Sequence, residues 1–171
     1  MRLILISVLA LVLFSSCGSS KPRVVTTVKE QEKIKPVIRT KKDAKKSEHV
    51  VFVALDFKGT PYKFGGTTKR GMDCSGLVYT SFKTEELELP RTSRAMSLQG
   101  TRLKLDEVNE GDLLFFETNK NRKVINHVGL VVGFNDEDIL FIHSTSSRGV
   151  IVSNFSEAYW QNAFVMARRV L

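Results

Sequence analysis

The chain has 171 residues, room for one domain with a proper core plus additional segments. Its formal net charge is +8, yet residues 18–48 hold ten Lys/Arg against four Asp/Glu, while residues 49–171 carry fifteen against fourteen. The basicity therefore belongs to a tail, which argues against a cationic nucleic-acid face, and no basic stripe with interleaved aromatics is present.

Met1-Arg2 is a short positive start, Leu3 to Phe14 is an apolar run, and Ser15-Ser16 are small residues just before Cys17. A run of about twelve apolar residues is too short to span a bilayer but suits an export signal. The pattern resembles a bacterial lipoprotein signal, which implies that residues 1–17 form a signal peptide ending at a lipidated Cys17, the first residue of the mature protein. Phe14 departs from the aliphatic residue usual at its position, and an ordinary cleaved signal is the alternative. Acyl chains on Cys17 would hold the protein at a membrane surface without a spanning helix. A disulfide between Cys17 and Cys74 is not expected, because the two serve different chemistry. Residues 18–47 are polar, Lys-rich and poor in aromatics, which reads as a flexible linker. About thirty such residues have an r.m.s. span of roughly 30 Å.

The folded part is expected over residues 48–171 as one domain. Ser47 to Lys58 predicts a helix with Ser47 as N-cap and Gly59 as stop, and His49 at its start reads as a surface histidine. Gly59-Thr60-Pro61-Tyr62 turns the chain toward the pair Gly65-Gly66, and Tyr62 is either core or aimed at a cleft. Asp73 is a good N-cap, which puts Cys74 in the first position of a helix whose apolar side carries Leu77, Val78 and Phe82. A second break at Leu89-Pro90-Arg91-Thr92-Ser93 precedes a short helix ending at Gly100. Beyond it, short apolar runs at 112–116, 127–132, 139–143, 150–153 and 163–170 alternate with turn residues, as strands of an antiparallel meander do. Helices followed by strands make an α+β domain.

Unpaired backbone N–H groups and the helix dipole favour an anion at the first helical position, so the Cys74 thiol is expected to have a lowered pKa and to act as a nucleophile. A cysteine nucleophile needs an imidazole and a third group to orient it. His127 and His143 stand at ends of two predicted strands joined by the short loop 133–138, so antiparallel pairing makes them neighbours. The roles follow: Cys74 attacks, His127 shuttles the proton, and His143 holds the His127 ring in its useful tautomer. Backbone N–H groups at the helix start, with the Tyr62 hydroxyl, would receive the oxyanion. Zinc held by the same trio is disfavoured, because there is no CxxC, no HxxxH and no placed fourth ligand; neither a metal nor a cofactor is expected.

The motifs Gly59–Gly66, Gly71–Val78, Leu89–Ser93, Gly111–Phe116, His127-Val128-Gly129, Phe141–Val150, Tyr159-Trp160 and Ala167–Val170 resemble, in order, those of the NlpC family of papain-like cell-wall cysteine peptidases. Together with the lipoprotein signal, the last two stretches resemble its Spr-type murein endopeptidases. The resemblance implies a papain-like fold with N-terminal helices on an antiparallel sheet of five to six strands. It maps the family triad onto Cys74, His127 and His143, and the active-site tyrosine onto Tyr62. Residues of substrate recognition map onto Asp73, Ser75 and Arg91. Asp73 could instead only cap its helix, and Arg91 could clamp a carboxylate or pair structurally with Asp112 or Glu117. Met96 stands where a Gln is common in the family, which touches only fine specificity. The implied function is hydrolysis of peptidoglycan peptides, at D-alanine to meso-diaminopimelate cross-links or, alternatively, after γ-D-glutamate. The implied setting is the periplasm, as a monomer anchored to a bacterial membrane, the outer one favoured, through Cys17. A silent wall-binding module and an acyltransferase or amidase are the rival classes.

Overall fold

A computed structural model describes residues 40–119, 121, 123–136 and 138–171. The lipidation expected at Cys17, the signal before it and linker residues 18–39 lie outside the described residues.

The first helix, α1 (Lys41–Asp56), begins earlier than its apolar pattern implies. Thr40, not Ser47, is its N-cap: the Thr40 hydroxyl accepts from the Asp43 N–H, and the Asp43 carboxylate accepts back from Thr40. This reciprocal cap satisfies two end groups at once. The lysines assigned to the linker at 41–47 thus form the first two turns, with Lys41, Lys42 and Lys45 exposed and Ser47, Val50, Val51 and Ala54 inward. His49 lies at the surface, as expected, and has a partner there. Its Nδ1 lies 2.6 Å from Glu85, which also meets Lys46 at 3.6 Å.

A two-stranded hairpin, β1 (Thr67–Thr68) and β2 (Gly71–Met72), leads into α2 (Cys74–Lys83), and α3 (Ser93–Met96) follows with Thr92 as cap. Six strands then build one antiparallel sheet: β3 (Thr101–Leu103), β4 (Leu113–Phe116), β5 (His127–Asn135), β6 (Asp138–Thr145), β7 (Gly149–Asn154) and β8 (Phe164–Arg169), with α4 (Ala158–Ala163) before the last. The expected α+β architecture holds. The sheet order is β3-β8-β4-β5-β6-β7, so only β4 to β7 form the expected meander. The C-terminal strand inserts between β3 and β4, where Arg169 meets Asp112 through two bonds of 2.9 and 2.6 Å.

Side-chain alternation gives the sheet two apolar faces. Leu113, Phe115, Val128, Leu130 and Ile142 pack with Val50, Leu77, Val78 and Phe82 of α1 and α2. Leu114, Phe116, Val131 and Phe141 pack with Phe155, Trp160 and Ala163 around α4. Met96 is fully buried in the first cluster, where it fills the core.

Candidate active site

Asp73 caps α2 and places Cys74 at the first helical position, as the spacing predicts. One carboxylate oxygen accepts from the Gly76 N–H at 2.7 Å, and the other accepts from the Gly65 N–H at 2.7 Å. Arg91 completes the cap. It donates to Asp73 at 2.9 Å, to the Ser75 hydroxyl at 2.8 Å and to the Gly66 carbonyl at 3.1 Å. Neither Asp112 nor Glu117 is its partner, since Asp112 is taken by Arg169. Burial alone would raise the Asp73 carboxyl, but Arg91 and the two N–H groups hold it below the usual range. The three residues mapped to substrate recognition therefore form one hydrogen-bonded group at the start of α2.

The Cys74 sulfur is half-buried and faces the backbone N–H groups of Val128, Ser75 and Cys74 itself. Burial nevertheless pushes the thiol up, and the neighbouring Asp73 carboxylate adds to it, so the expected lowering is not what this site produces. Desolvation of the charged form outweighs the helix-start dipoles here. Burial, with the nearby Cys74 and Asp73 groups, pushes the Tyr62 hydroxyl above its usual range.

His127 and His143 are brought together as the strand pairing predicts: His127 Nε2 lies 3.0 Å from His143 Nδ1. The hydrogen-bonded chain continues to a residue that pattern reading missed, because His143 Nε2 lies 3.0 Å from the Ser153 hydroxyl. Ser153 sits opposite Phe141 in β7, and His143 opposite Ile151, so alternation puts Ser153 on the face of the imidazoles. Trp160 of α4 stacks on His127 at 5.5 Å and meets His143 edge-on at 4.6 Å. Its only sequence signal was membership of the Tyr159-Trp160 motif. These rings share the face of Phe116 and Phe141, opposite the one that α2 covers. Cys74 and His127 line one hollow at the end of β5, with the sulfur beside the Val128 N–H, although α2 covers the opposite face of the sheet.

Burial pushes His127 down to about 4. It also pushes His143 down to about 3, helped by the charges of His127 and Arg148. Both rings are neutral at pH 7. If His127 donates from Nε2 to His143, and His143 from Nε2 to Ser153, His127 Nδ1 is left as an acceptor. No hydrogen bond joins the sulfur to either ring among the described residues; such contacts often tighten only with substrate bound. The His127 ring is expected to titrate near pH 4 in an NMR titration, far below the usual histidine range, while a midpoint near 6.5 would show that it is solvated. Stability follows the same sign. The unfolded chain binds protons at its histidines below pH about 6.5 that the folded chain refuses, so stability is full above that pH and is lost as pH falls toward about 3. Thermal unfolding across pH 3 to 7 measures it.

Cys74 stands between two hollows. The larger, about 500 Å³, is lined by Tyr62, Cys74, His127, Arg148, Glu157 and Trp160 among others. The smaller, about 340 Å³, is lined by Tyr62, Phe64, Asp73, Cys74, Ser75 and Arg91 among others. Tyr62, half-exposed, borders both, so it points into the cleft and not the core. Among the described residues no three His, Cys, Asp or Glu side chains are grouped to hold a metal ion.

The fold is shared with a crystal structure of an NlpC/P60 family protein from Bacillus cereus ATCC 10987, at a TM-score of 0.66 and 28% identity, covering 73% of this chain and 40% of that one. Residues 59–169 match the NlpC/P60 family, and the chain belongs to it. It is 42% identical over 113 residues to the protein of Escherichia coli (strain K12) named "Probable endopeptidase NlpC", covering 66% of this chain and 70% of that one. It is 38% identical over 117 residues to the "Murein DD-endopeptidase MepS/Murein LD-carboxypeptidase" of the same strain, covering 68% of this chain and 58% of that one.

Proposed function

We propose that this chain is a cysteine peptidase that hydrolyses amide bonds in peptidoglycan peptides. The bond between D-alanine and meso-diaminopimelate in cross-links is favoured. The observation that carries the reading is a cleft lined by both the helix-start cysteine and an imidazole whose far nitrogen is engaged by a second, buried imidazole. Names of relatives that cut murein support the substrate class.

In this mechanism the Cys74 sulfur bonds to the carbonyl carbon while its proton passes to His127 Nδ1. Burial favours the neutral form of both the thiol and the imidazole, so the proton must move between them for the sulfur to attack. The oxyanion is received by N–H groups at the start of α2 and by the Tyr62 hydroxyl. Collapse breaks the C–N bond, His127 returns the proton to the leaving amine, and a thioester remains on Cys74. Water then attacks the thioester, giving one proton to His127 and from there to the departing sulfur. His143 and Ser153 touch no reacting atom; they hold the His127 ring and its tautomer.

The setting belongs to the same proposal: a periplasmic monomer, lipid-anchored through Cys17 to a bacterial membrane, the outer one favoured. Among the described residues no helix is long and apolar enough to cross a membrane. The test is mass spectrometry of muropeptides after digestion of purified sacculi, with Cys74→Ser beside the wild type. Expected are products cut at the cross-link with the wild type and none with Cys74→Ser. Products ending after γ-D-glutamate would move the assignment to that bond, and near-normal digestion by Cys74→Ser would remove the mechanism.

A further inference from the structure

We infer that Arg148 binds a free carboxylate carried by the leaving half of the substrate, beside the bond that is cut. This rests on the peptidase reading above. The location of the leaving half follows from chemistry: the departing amine takes its proton from His127, so it must sit beside that ring. His127 lines the larger hollow and not the smaller one, which is bounded by Asp73, Ser75 and Arg91. The larger hollow is therefore the leaving-group side, and Arg148 stands on its wall.

The two guanidinium groups of the cleft differ in what already holds them. Arg91 is turned into the helix cap, with its donors on Asp73, Ser75 and Gly66 and its charge balanced by Asp73. Arg148 is exposed, and among the described residues no Asp or Glu lies within ion-pair distance of it. The acid that shares its hollow, Glu157, accepts instead from the Asn154 N–H at 3.2 Å. A planar fork with free donors, in a cleft that must admit peptide, suits a carboxylate in two-point contact.

The turn that carries Arg148 is fixed in place. The Arg148 N–H donates to the Thr145 hydroxyl at 3.0 Å. Gly149 follows at φ +67°, and a Cβ there would collide with the Thr60 carbonyl oxygen. The Val150 N–H donates to that same carbonyl, and the Gly59 N–H donates to Val150, each at 2.9 Å. Arg148 is thus tied to the segment that carries Tyr62, the other wall of the cleft. The matching substrate class is a peptide whose leaving residue bears an α-carboxylate on the carbon that holds the acylated amine. The acylated end of meso-diaminopimelate in a cross-link has that form, because each of its amine-bearing carbons also carries a carboxylate.

The experiment uses the full chain, wild type and Arg148→Gln, on two synthetic cross-linked peptides that differ only in this group, free carboxylate or carboxamide. The wild type is expected to favour the free acid by about 10- to 100-fold in kcat/KM, mostly through KM, as charge-assisted hydrogen bonds give. Arg148→Gln is expected to lose that preference, and Arg148→Lys to restore part of it. A preference that survives in Arg148→Gln, or a wild type that cuts both peptides equally, overturns the assignment and leaves the peptidase reading standing. A wild type that cuts neither peptide overturns the peptidase reading and this inference with it.

Discussion

His127→Ala is expected to lower kcat/KM on cross-linked muropeptides by about 10⁴-fold, the upper range for a positioned acid–base group. Its effect is large because both protons of the cycle pass through one ring. The Cys74 thiol is held protonated by burial, so without His127 no base accepts its proton and no acid serves the leaving amine. His143→Ala should cost only about 10- to 100-fold, because that ring orients His127 and meets no reacting atom. Circular dichroism separates lost chemistry from lost fold, since removing either ring also leaves space beneath Trp160. Equal losses for the two substitutions would mean that His143 takes part in proton transfer itself.

Asp112→Ala is expected to destabilise the domain by about 3–5 kcal/mol, the usual cost of leaving one partner of a buried ion pair alone. Asp112 is fully buried and Arg169 nearly so. The Asp112 carboxylate takes two bonds from Arg169 and one from the Asn109 N–H at 2.7 Å, while Arg169 also donates to the Glu107 carbonyl at 2.9 Å. Losing the acid strands a guanidinium between β3 and β4, at the strand that closes the sheet. For a domain of this size the shift in Tm is about 10–20 °C, read by thermal unfolding. Asp112→Ala combined with Arg169→Met should recover part of the loss, because it removes the stranded charge. A drop below about 1 kcal/mol in the single variant would show that water reaches Arg169.

What the sequence by itself determined is local. Asp73 ahead of Cys74 and an apolar side at Leu77, Val78 and Phe82 specify a capped helix with the cysteine first, because capping and helical spacing act within a few residues. The short loop between the runs at 127–132 and 139–143 is enough to set His127 beside His143, since a tight antiparallel turn dictates which ends meet. The ordered motifs were enough to name the family.

Only the tertiary structure decided the rest, and in each case the partner is distant along the chain. Arg91 could have met any of several acids; packing gave it Asp73, eighteen positions away, because Arg169 had come across the sheet to claim Asp112. Ser153 joined the hydrogen-bonded chain through the register of β7, which no short pattern encodes. The thiol went up and not down because burial is a sum over every neighbour, while the helix-start effect that a motif reveals is one contribution to that sum. Spacing along a chain sets which groups are offered, whereas strand order and desolvation, both long-range, set which of them meet and in what state of charge.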